Sequence, residues 1–465
     1  DGAKGGRKVN PSSERNCETK PASVPAKPDK QAGEDLWQDH KAERGVWSEK
    51  MLRTLVRGVK GGKWFSLIDK VYTDRTLSLA WEKVKSNAGA CGVDCISIGH
   101  FDKDSEARLL TVKEHLKGGS YQPKSVKRVR ISKAGSKQTR PLGIPTVTDR
   151  VVQQAVRMVL EPIYEYRFAE HSYGFRPGRS CHDALRRVNG QLGDGYTHVV
   201  DIDIAGYFDT INQERLIQLL KEDVSDGRLL TLIERFLKAG VLEDGIWQHS
   251  DEGTPQGGVI SPLLSNIYLN ELDHLMEANG YAMTRYADDM VILCRRADEA
   301  ERALETVQVW MQQAHLKLHP EKTRTVNIGD YGNYFDFLGY RFKRTRRRIA
   351  PLVRPKSEQK LRESIRGQTR RCNQYSMLEI IERINPILRG WFAYFKQAYR
   401  GQHIELDGWI RMRLRSIYRK RNRKRGRGRG IDHQLWPNRH FTELGLFSLE
   451  AAQREVINLR NAVKH

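Results

Sequence analysis

The sequence lacks the long apolar run that a membrane-spanning segment requires. No stretch of its 465 residues approaches the roughly 18 consecutive apolar residues of a transmembrane helix. The start of the sequence also lacks an apolar signal segment. We therefore expect a soluble protein that stays in the cytoplasm and has no membrane partner.

Cysteine is scarce, and its spacing argues against the common zinc motifs. The six cysteines include no Cys-x-x-Cys pair. The two closest, Cys91 and Cys95, have no matching second pair. The sequence therefore predicts reduced, mostly buried thiols rather than a structural zinc site.

Acidic residues are scarce in one segment only. Residues 341–430 hold 28 Lys and Arg against 6 Asp and Glu, whereas the other 375 residues hold 52 against 51. Almost the whole formal charge of +23 thus lies in that segment. Because a solvated surface usually mixes the two signs, the segment predicts a polyanionic partner, and nucleic acid fits better than an acidic membrane.

Helical and strand-like patterns alternate along the chain. Residues 1–35 are rich in Lys, Pro, Ser, Gly and Glu and predict a flexible tail. Basic and apolar residues alternate across 124–145 around an Ala-Gly-Ser turn, which predicts a hairpin with cationic faces. Strand-like runs at 197–204 and 289–294 then alternate with helical segments near 213–239 and 262–278, and helical spacing dominates from about 357 onward. This mixture predicts an α+β fold.

Two acidic clusters lie next to apolar, strand-like runs. The first contains Asp201 and Asp203, and the second contains the adjacent pair Asp288 and Asp289. Adjacent aspartates between β-forming residues suit a tight hairpin turn, which presents a carboxylate while the strands anchor it. If the strand through Asp203 lies beside that hairpin, three carboxylates converge and need cations to remain ionised. The pattern predicts a site for two Mg²⁺ ions, with Mn²⁺ as a substitute, of the kind that catalyses nucleotide polymerisation.

These blocks resemble the reverse transcriptase family, in which an aspartate precedes an aromatic-Phe-Asp element and a Tyr-x-Asp-Asp box follows later. The resemblance implies that Asp203, Asp288 and Asp289 are catalytic and bind the metal ions. It also implies Ile204 as a further metal ligand. Asp201 is a second candidate for the first ligand, and the family string favours Asp203 over it.

Further motifs match elements that bind the nucleotide in this family. Residues 253–266 resemble the loop that contacts template and nucleotide, where Gln256 offers an amide group. Lys322 matches the next element and is assigned to nucleotide binding, and residues 337–340 resemble a primer grip. Tyr207 falls where the family places an aromatic ring under the sugar, which favours deoxynucleotides. A plain core tyrosine is the alternative for this position.

The predicted hairpin and the block at 172–180 supply basic residues near these motifs. Lys133 and Arg140 stand on the two arms of the hairpin, where the fingers of related polymerases close onto the triphosphate. The block at 172–180 resembles one that lines the template path, although a purely structural turn is an alternative. The predicted contacts with nucleic acid from these two segments are Arg128, Arg130, Arg176 and Arg179.

Residues 384–395 and 406–415 resemble the maturase region, called domain X, of group II intron proteins. In that family the region forms the helical thumb and grips intron RNA. The predicted RNA contacts here are Arg411, Arg413, Arg415, Arg421, Arg423 and Lys424. No His/Asn/Cys endonuclease domain follows, so the resemblance is to bacterial group II intron-encoded reverse transcriptases that lack this domain.

The sequence thus predicts a right-hand polymerase with fingers, palm and a helical thumb. Its predicted divisions are a flexible basic and polar extension at 1–62, fingers and palm at 63–345, thumb and domain X at 346–430, and a short C-terminal segment at 431–465 that is a candidate DNA contact.

The predicted function is RNA-directed DNA synthesis, with maturase activity that promotes group II intron splicing and retrohoming. A host-adopted reverse transcriptase acting in repair or defence is the alternative. The predicted partners are group II intron RNA, an RNA template, a DNA primer, deoxynucleoside triphosphates and target DNA. The predicted location is the bacterial cytoplasm, in association with the nucleoid.

Overall fold

Helices and short strands alternate along the chain, which confirms the predicted α+β class. A computed structural model describes residues 42–59, 61–132, 139–249, 252–346, 348–428 and 430–462. The helices are α1 (Glu49–Arg57), α2 (Ile68–Val71), α3 (Asp74–Asn87), α4 (Ile98–Lys103), α5 (Ser105–Lys117), α6 (Val147–Glu165), α7 (Cys181–Gly193), α8 (Tyr207–Thr210), α9 (Gln213–Asp223), α10 (Gly227–Leu237), α11 (Ser261–Ala278), α12 (Ala297–Gln313), α13 (Pro355–Gln368), α14 (Met377–Phe395), α15 (Arg400–Arg421), α16 (Asp432–Leu435), α17 (Asn438–Glu443) and α18 (Leu449–Ala462). The strands are β1 (Val126–Ser132), β2 (Thr139–Ile144), β3 (His198–Ile202), β4 (Val241–Glu243), β5 (Ile246–Gln248), β6 (Ala282–Tyr286), β7 (Asp289–Cys294), β8 (Arg324–Asn327), β9 (Tyr334–Phe337), β10 (Tyr340–Arg344) and β11 (Ile349–Val353).

The part of the predicted flexible extension that the structure describes is folded. Ser48 caps α1 by accepting a hydrogen bond from the Met51 backbone N–H. The preceding Trp47 is 1% exposed, and its indole N–H donates to the Met158 carbonyl in α6. Contrary to the prediction, this segment joins the largest hydrophobic cluster, because Trp47 and the α1 residues Leu52 and Leu55 bury their apolar side chains there. Residues 1–35, where the flexible tail was predicted, lie outside the described residues.

The predicted cationic hairpin is present as β1 and β2, which pair antiparallel from Lys127–Ile144 to Ser132–Thr139. Its turn at 133–138 lies outside the described residues. Strands β4 and β5 were not predicted, and they extend the hairpin into a sheet of order β2-β1-β4-β5. Helix α6 follows β2 and lies inside the largest hydrophobic cluster, with both of its faces covered.

A second sheet, of order β6-β7-β3-β8, carries the acidic clusters. Strand β3 pairs antiparallel with β7 in a register that places Asp201 opposite Val291 and Ile202 opposite Met290. The carboxyl end of β3 therefore meets the amino end of β7. We call this end of the sheet, near Asp201, Asp203, Asp288 and Asp289, the acidic edge. Apolar residues of β3 and β7, including Val200 and Ile292, are fully buried and fix this register.

A third sheet, of order β11-β10-β9, crosses the predicted division at residues 345 and 346. Strand β10 pairs with β11 from Tyr340–Val353 to Arg344–Ile349. Phe342 of this sheet and Phe395 of α14 belong to one hydrophobic cluster, together with residues of β3 and β7. The boundary of the thumb was thus predicted inside a hairpin that joins the two regions.

The C-terminal helices form one bundle with its own hydrophobic cluster. Ser376 and Glu379 make a capping box at the start of α14. Leu388 of α14, Leu414 of α15 and Leu449 of α18 are buried together. The segment from 431 to 462 therefore packs on the predicted thumb instead of standing apart from it.

Two further features of the described part of the chain concern membrane-spanning helices and cysteines. None of its helices combines the length and apolar character that a membrane crossing needs. Its five cysteines, Cys91, Cys95, Cys181, Cys294 and Cys372, are free thiols, but only Cys294 among them is buried, so the prediction of mostly buried thiols is wrong.

Candidate active site and nucleic-acid interface

The adjacent aspartates lie at a tight turn, as the sequence predicted. Tyr286 pairs with Asp289 at the end of the β6–β7 ladder, which leaves Ala287 and Asp288 as the two turn residues. Ala287 adopts the left-handed region with φ of 59°, a conformation that two-residue hairpin turns require. Asp288 therefore lies at the tip of the hairpin, and Asp289 is the first residue of β7.

Asp203 follows β3 directly and is fixed by its neighbours. Its backbone carbonyl accepts hydrogen bonds from the His319 N–H at 2.8 Å and the Thr323 hydroxyl at 3.2 Å. Its carboxylate Oδ2 accepts a hydrogen bond from Lys322 Nζ at 2.7 Å. The loop that follows α12 thus holds Asp203 beside the hairpin.

The three predicted catalytic carboxylates influence one another electrostatically. Burial raises the pKa of Asp288, and the Asp203 carboxylate raises it further. Asp289 has an exposed surface, yet burial of its carboxyl, together with Asp288, Asp203 and Asp201, raises its pKa to about 6. Negative charge is therefore concentrated at this edge of the sheet, where a cation would relieve the repulsion.

The residues at this edge have the chemistry that a divalent cation needs, because hard cations prefer carboxylate and carbonyl oxygens. Ile204 can offer only its backbone carbonyl. The two hydrogen bonds around it join Ala205 to Lys317 and His319 to Asp203, and neither uses that carbonyl. Among the described residues no three His, Cys, Asp or Glu side chains already converge as a ready-made metal site. The Lys322 ammonium contacts one oxygen of the Asp203 carboxylate, Oδ2.

Asp201, the second candidate for the first metal ligand, has a different environment. Its carboxylate lies 3.6 Å from Arg324 Nε, on the neighbouring strand β8. Burial raises the pKa of Asp201 to about 6, and Arg324 opposes that shift. The ion pair supports a structural role for Asp201 and leaves Asp203 as the carboxylate nearer the hairpin tip.

The glycine-rich loop predicted to contact the nucleotide packs between the cationic hairpin and the acidic edge. The Gly143 N–H of β2 donates to the Gln256 carbonyl at 2.5 Å. A Cβ atom on Gly257 would lie 2.3 Å from the Gly143 carbonyl oxygen, and one on Gly253 would lie 2.7 Å from the Phe208 carbonyl oxygen. Close backbone approach therefore requires glycine at both positions. The Gln256 side chain is half-buried.

Tyr207 is a core residue, contrary to its predicted contact with the sugar. It is 2% exposed, and its hydroxyl donates to the Ser265 carbonyl at 2.8 Å. Burial raises the pKa of this hydroxyl. The next residue, Phe208, is half-buried beside the glycine-rich loop and was not selected from the sequence. Sequence alone does not tell which of two adjacent aromatic rings enters the core, because α8 is a single turn that begins at a left-handed Gly206.

The basic residues of the hairpin differ in their freedom to contact a polyanion. Arg128 lies 3.6 Å and Arg130 2.7 Å from the carboxylate of Glu243 in β4. Arg140 is exposed on β2 opposite Ile131. Lys133 lies outside the described residues. The unpredicted strand β4 thus places an acidic residue against the two arginines assigned to the template.

Arg176 does not fit its predicted role as a phosphate contact. It is 6% exposed, forms an ion pair with Glu165, and donates to the carbonyls of Ala169 at 2.6 Å and Ser172 at 2.8 Å. These internal acceptors use its donors, so the alternative of a structural turn is correct here. Arg179 keeps 20% of its side chain exposed and contacts the Glu170 carboxylate.

The six basic residues assigned to RNA in domain X fall into two groups. Arg415 is 2% exposed and donates to the Trp436 carbonyl at 2.8 Å and Asn438 Oδ1 at 2.7 Å, so the prediction is wrong for this residue. Arg413 is half-buried and donates to Thr369. The half-buried Arg411 stands 3.9 Å from the Asp407 carboxylate. The exposed members are Arg421, Arg423 and Lys424.

One basic cluster in domain X was missed because its members are distant in sequence. The guanidinium groups of Arg362, Arg366 and Arg413 lie 4.8, 5.8 and 5.4 Å from the Trp409 ring centre. Burial lowers the pKa of Arg413, and the charges of Arg366 and Arg371 lower it further. These arginines of α13 and α15 therefore concentrate positive charge around Trp409. No local sequence motif predicts this cluster.

Two families match successive parts of the chain. Residues 131–342 match the reverse transcriptase (RNA-dependent DNA polymerase) family, and residues 358–436 match the group II intron, maturase-specific domain. Protein YkfC of Escherichia coli (strain K12) is 36% identical over 300 residues, which cover 56% of this chain and 78% of that protein. The chain belongs to the group II intron-encoded reverse transcriptases.

Other relatives match this reverse transcriptase over shorter shares of their length. The group II intron-encoded protein LtrA of Lactococcus lactis subsp. cremoris is 45% identical over 195 residues, which are 42% of this chain and 32% of LtrA. The match thus spans about a third of that relative. The structure of telomerase from Candida albicans matches with a TM-score of 0.40 and 12% identity, over 70% of this chain and 64% of that chain.

The two family matches correspond to two successive regions of the chain. The polymerase match includes the acidic edge, the glycine-rich loop and Lys322, while the maturase match includes most of α13, all of α14 and α15, and most of the basic segment. The predicted right-hand polymerase fold with a helical maturase region is thereby confirmed.

Proposed function

We propose that this reverse transcriptase copies RNA into DNA at the edge of the second sheet, with Asp203, Asp288 and Asp289 as its catalytic residues. The observation that carries the proposal is that the end of β3 adjoins the β6–β7 turn, where burial and the neighbouring carboxylates raise the pKa values of Asp288 and Asp289. Such a cluster is unfavourable without a positive partner, and the family generally uses divalent metal ions. The site is therefore built to hold cations.

The ligands would be the carboxylates of Asp203, Asp288 and Asp289 with the carbonyl of Ile204, and the ions would be two Mg²⁺, which Mn²⁺ can replace. Bound there, the ions would activate the 3′-hydroxyl of the primer and neutralise charge on the leaving pyrophosphate. Lys322 neutralises Asp203 in their absence through its 2.7 Å contact. Its ammonium would also contact the phosphates of a nucleotide bound beside Asp203.

The nucleotide would lie between the acidic edge and the cationic hairpin. Gln256 is held at this place by the bond between its carbonyl and Gly143. Arg140 and Lys133 would bind the triphosphate as charged donors. We assign contact with the sugar to Phe208 in place of Tyr207, because the Tyr207 hydroxyl is committed to Ser265 in the core.

Domain X would bind group II intron RNA and promote splicing and retrohoming. The exposed Arg421, Arg423 and Lys424, with the cluster around Trp409, present cations that neutralise phosphates. The RNA template and DNA primer would lie along the cationic hairpin and the block at 172–180, where Arg128, Arg130 and Arg179 would contact their backbones. Target DNA would contact the C-terminal helices. These partners place the enzyme in the bacterial cytoplasm at the nucleoid.

Primer extension by an Asp288→Asn variant tests the polymerase proposal. The change keeps the shape of the turn residue but removes a charged ligand, so cDNA synthesis should be lost while RNA binding stays unchanged. Asp330→Asn, at an exposed turn after β8, is the matched control and should extend the primer normally. Normal extension by Asp288→Asn with Mg²⁺ would contradict the assignment.

A further inference from the structure

Arg285 lies completely buried behind the turn that carries Asp288. Arg285 is the penultimate residue of β6, and both it and its partner Asp273, in α11, are 0% exposed. Arg285 Nε donates to Asp273 Oδ1 at 2.7 Å, and its Nη2 contacts Asp273 Oδ2. Burial disfavours the charged guanidinium, but the Asp273 carboxylate outweighs this effect, and the pKa of Arg285 is raised.

The third guanidinium nitrogen of Arg285, Nη1, contacts the turn itself. Its Nη1 donates to the Ala287 carbonyl at 3.0 Å and to Asn266 Oδ1 at 3.0 Å. The Ala287 carbonyl belongs to the peptide group that leads into Asp288. A hydrogen bond to this oxygen therefore fixes the plane of the peptide from which the Asp288 side chain projects.

Asn266 connects this arginine to the segment on the other side of the turn. Its Nδ2 donates to the Gly174 carbonyl at 2.8 Å. Gly174 lies so close to the turn that a Cβ atom there would be 2.2 Å from the Ala287 backbone nitrogen. Backbone bonds between Tyr173 and Arg285 and between Arg285 and His171 keep this segment alongside β6. The turn is thus held by Arg285 and Asn266 on one side and by the Gly174 backbone on the other.

Stability alone does not account for a charged pair in this place. A buried ion pair is generally no more stabilising than well-packed apolar residues of similar size, because both charges lose their hydration. An apolar pair could fill the same volume, but it could not bind the Ala287 carbonyl. Asp273 and Asn266 orient the planar guanidinium so that its last donor points at this carbonyl.

We propose that Asp273, Arg285 and Asn266 are positioning residues that hold the Ala287–Asp288 peptide so that the Asp288 carboxylate can bind a divalent cation. None of the three touches substrate, and each acts through the turn. The proposal rests on the proposed function, because it assumes that Asp288 is a metal ligand.

Arg285→Lys and Asn266→Ala test the inference in the full-length chain. The lysine keeps a positive charge opposite Asp273, but its compact ammonium lacks the fork that reaches Asp273, Asn266 and the Ala287 carbonyl together. The expected result is a fall in kcat of about tenfold to a hundredfold, with an unchanged KM for the deoxynucleotide. Direct Mn²⁺ binding, measured by electron paramagnetic resonance without substrate, should weaken in both variants.

The matched control is Tyr268→Phe on the same helix. The Tyr268 side chain is buried, and its hydroxyl donates to the Ala314 carbonyl at 2.6 Å, away from the turn. Thermal unfolding gives the stability of each variant. Lower stability with kcat and Mn²⁺ binding equal to the control would overturn the proposal and leave a merely structural pair.

The remaining outcomes are also distinguishable. If Arg285→Lys does not fold, Asn266→Ala carries the test, since it leaves the charged pair intact. If the unaltered protein binds Mn²⁺ but makes no cDNA, the proposed polymerase function fails, while the Mn²⁺ titration of the variants still decides the positioning role. Unchanged Mn²⁺ binding in Asn266→Ala, with normal kcat, would refute the role of Asn266 and with it the network.

Discussion

Removing the charge of exposed basic residues in domain X should affect RNA binding, whereas removing the charge of a buried arginine should affect stability. We predict that replacing Arg421, Arg423 and Lys424 with glutamine reduces the salt dependence of RNA binding without a large loss of stability. The reason is that all three are exposed, so their charges are available to phosphates. Arg415→Gln, six residues before Arg421 on the same helix, should instead destabilise the bundle and leave the salt dependence unchanged.

The magnitudes follow from the contacts. Each phosphate contact on single-stranded RNA contributes about 0.7 to the slope of log affinity against log salt, so three contacts contribute up to about 2. Arg415 donates to the Trp436 carbonyl and Asn438 Oδ1 from a site that is 2% exposed. The loss of two charge-assisted bonds should lower the free energy of unfolding by about 3 kcal/mol.

The assay is equilibrium binding of a labelled intron RNA over a series of salt concentrations, combined with thermal unfolding of each variant. The triple variant should give a shallower slope with a nearly unchanged melting temperature. Arg415→Gln, assayed at a temperature where it remains folded, should give the parental slope. A parental slope for the triple variant, or a reduced slope for folded Arg415→Gln, would refute the division into exposed contacts and internal donors.

Three further predictions concern the acidic edge. Phe208→Ala should increase ribonucleotide incorporation, whereas Tyr207→Phe should not, and competition between ribo- and deoxynucleotides in primer extension measures the difference. Gly174→Ala should reduce cDNA synthesis while RNA binding persists, because the new Cβ would collide with the Ala287 backbone; a fully active variant would contradict the packing of the turn. The pKa of Asp289 is raised to about 6, so ionising this carboxyl costs stability. The metal-free protein should become less stable as pH rises from about 4 to about 6, between the unfolded and folded pKa values. Mn²⁺ affinity should fall as pH drops below about 6, because protons compete for the ligand. Titrations of stability and of Mn²⁺ binding against pH test both statements, and a pH-independent Mn²⁺ affinity would exclude Asp289 as a ligand.

The parts of the fold that local patterns determine could be predicted from the sequence. The β6–β7 hairpin was found because β-forming residues flank a pair of turn-forming aspartates. Helix α11 began within one residue of its predicted start, since Pro262 suits the first turn of a helix. The strands β4, β5 and β8–β11 were missed because each is only three to five residues long, which is too short for an alternating pattern to stand out.

The candidate site was predictable by residue type but not by the direction of each side chain. Family resemblance and positive charge assigned Arg176 and Arg415 to nucleic acid, yet both are buried, because nearby carbonyls and amides satisfy their donors. Tyr207 was placed under the sugar for a similar reason, since a motif gives the position of an aromatic residue and not the face it occupies. Asp273 and Arg285 were not selected, because a pair that is twelve residues apart in sequence becomes a pair only when β6 packs on α11.

The hairpin of β10 and β11 has a consequence for how such proteins can diverge. Because this pairing crosses the point where the polymerase region was expected to end, a chain joined to a foreign bundle near residue 345 would lose β11, which is one of the two partners of β10. Recombination between lineages is therefore costly at this place, even though the two family matches stop on either side of it. We therefore expect the polymerase region and the C-terminal helical bundle to be inherited as one unit. A change of RNA specificity should then arise by substitutions on the surface of the bundle rather than by exchange of the whole bundle.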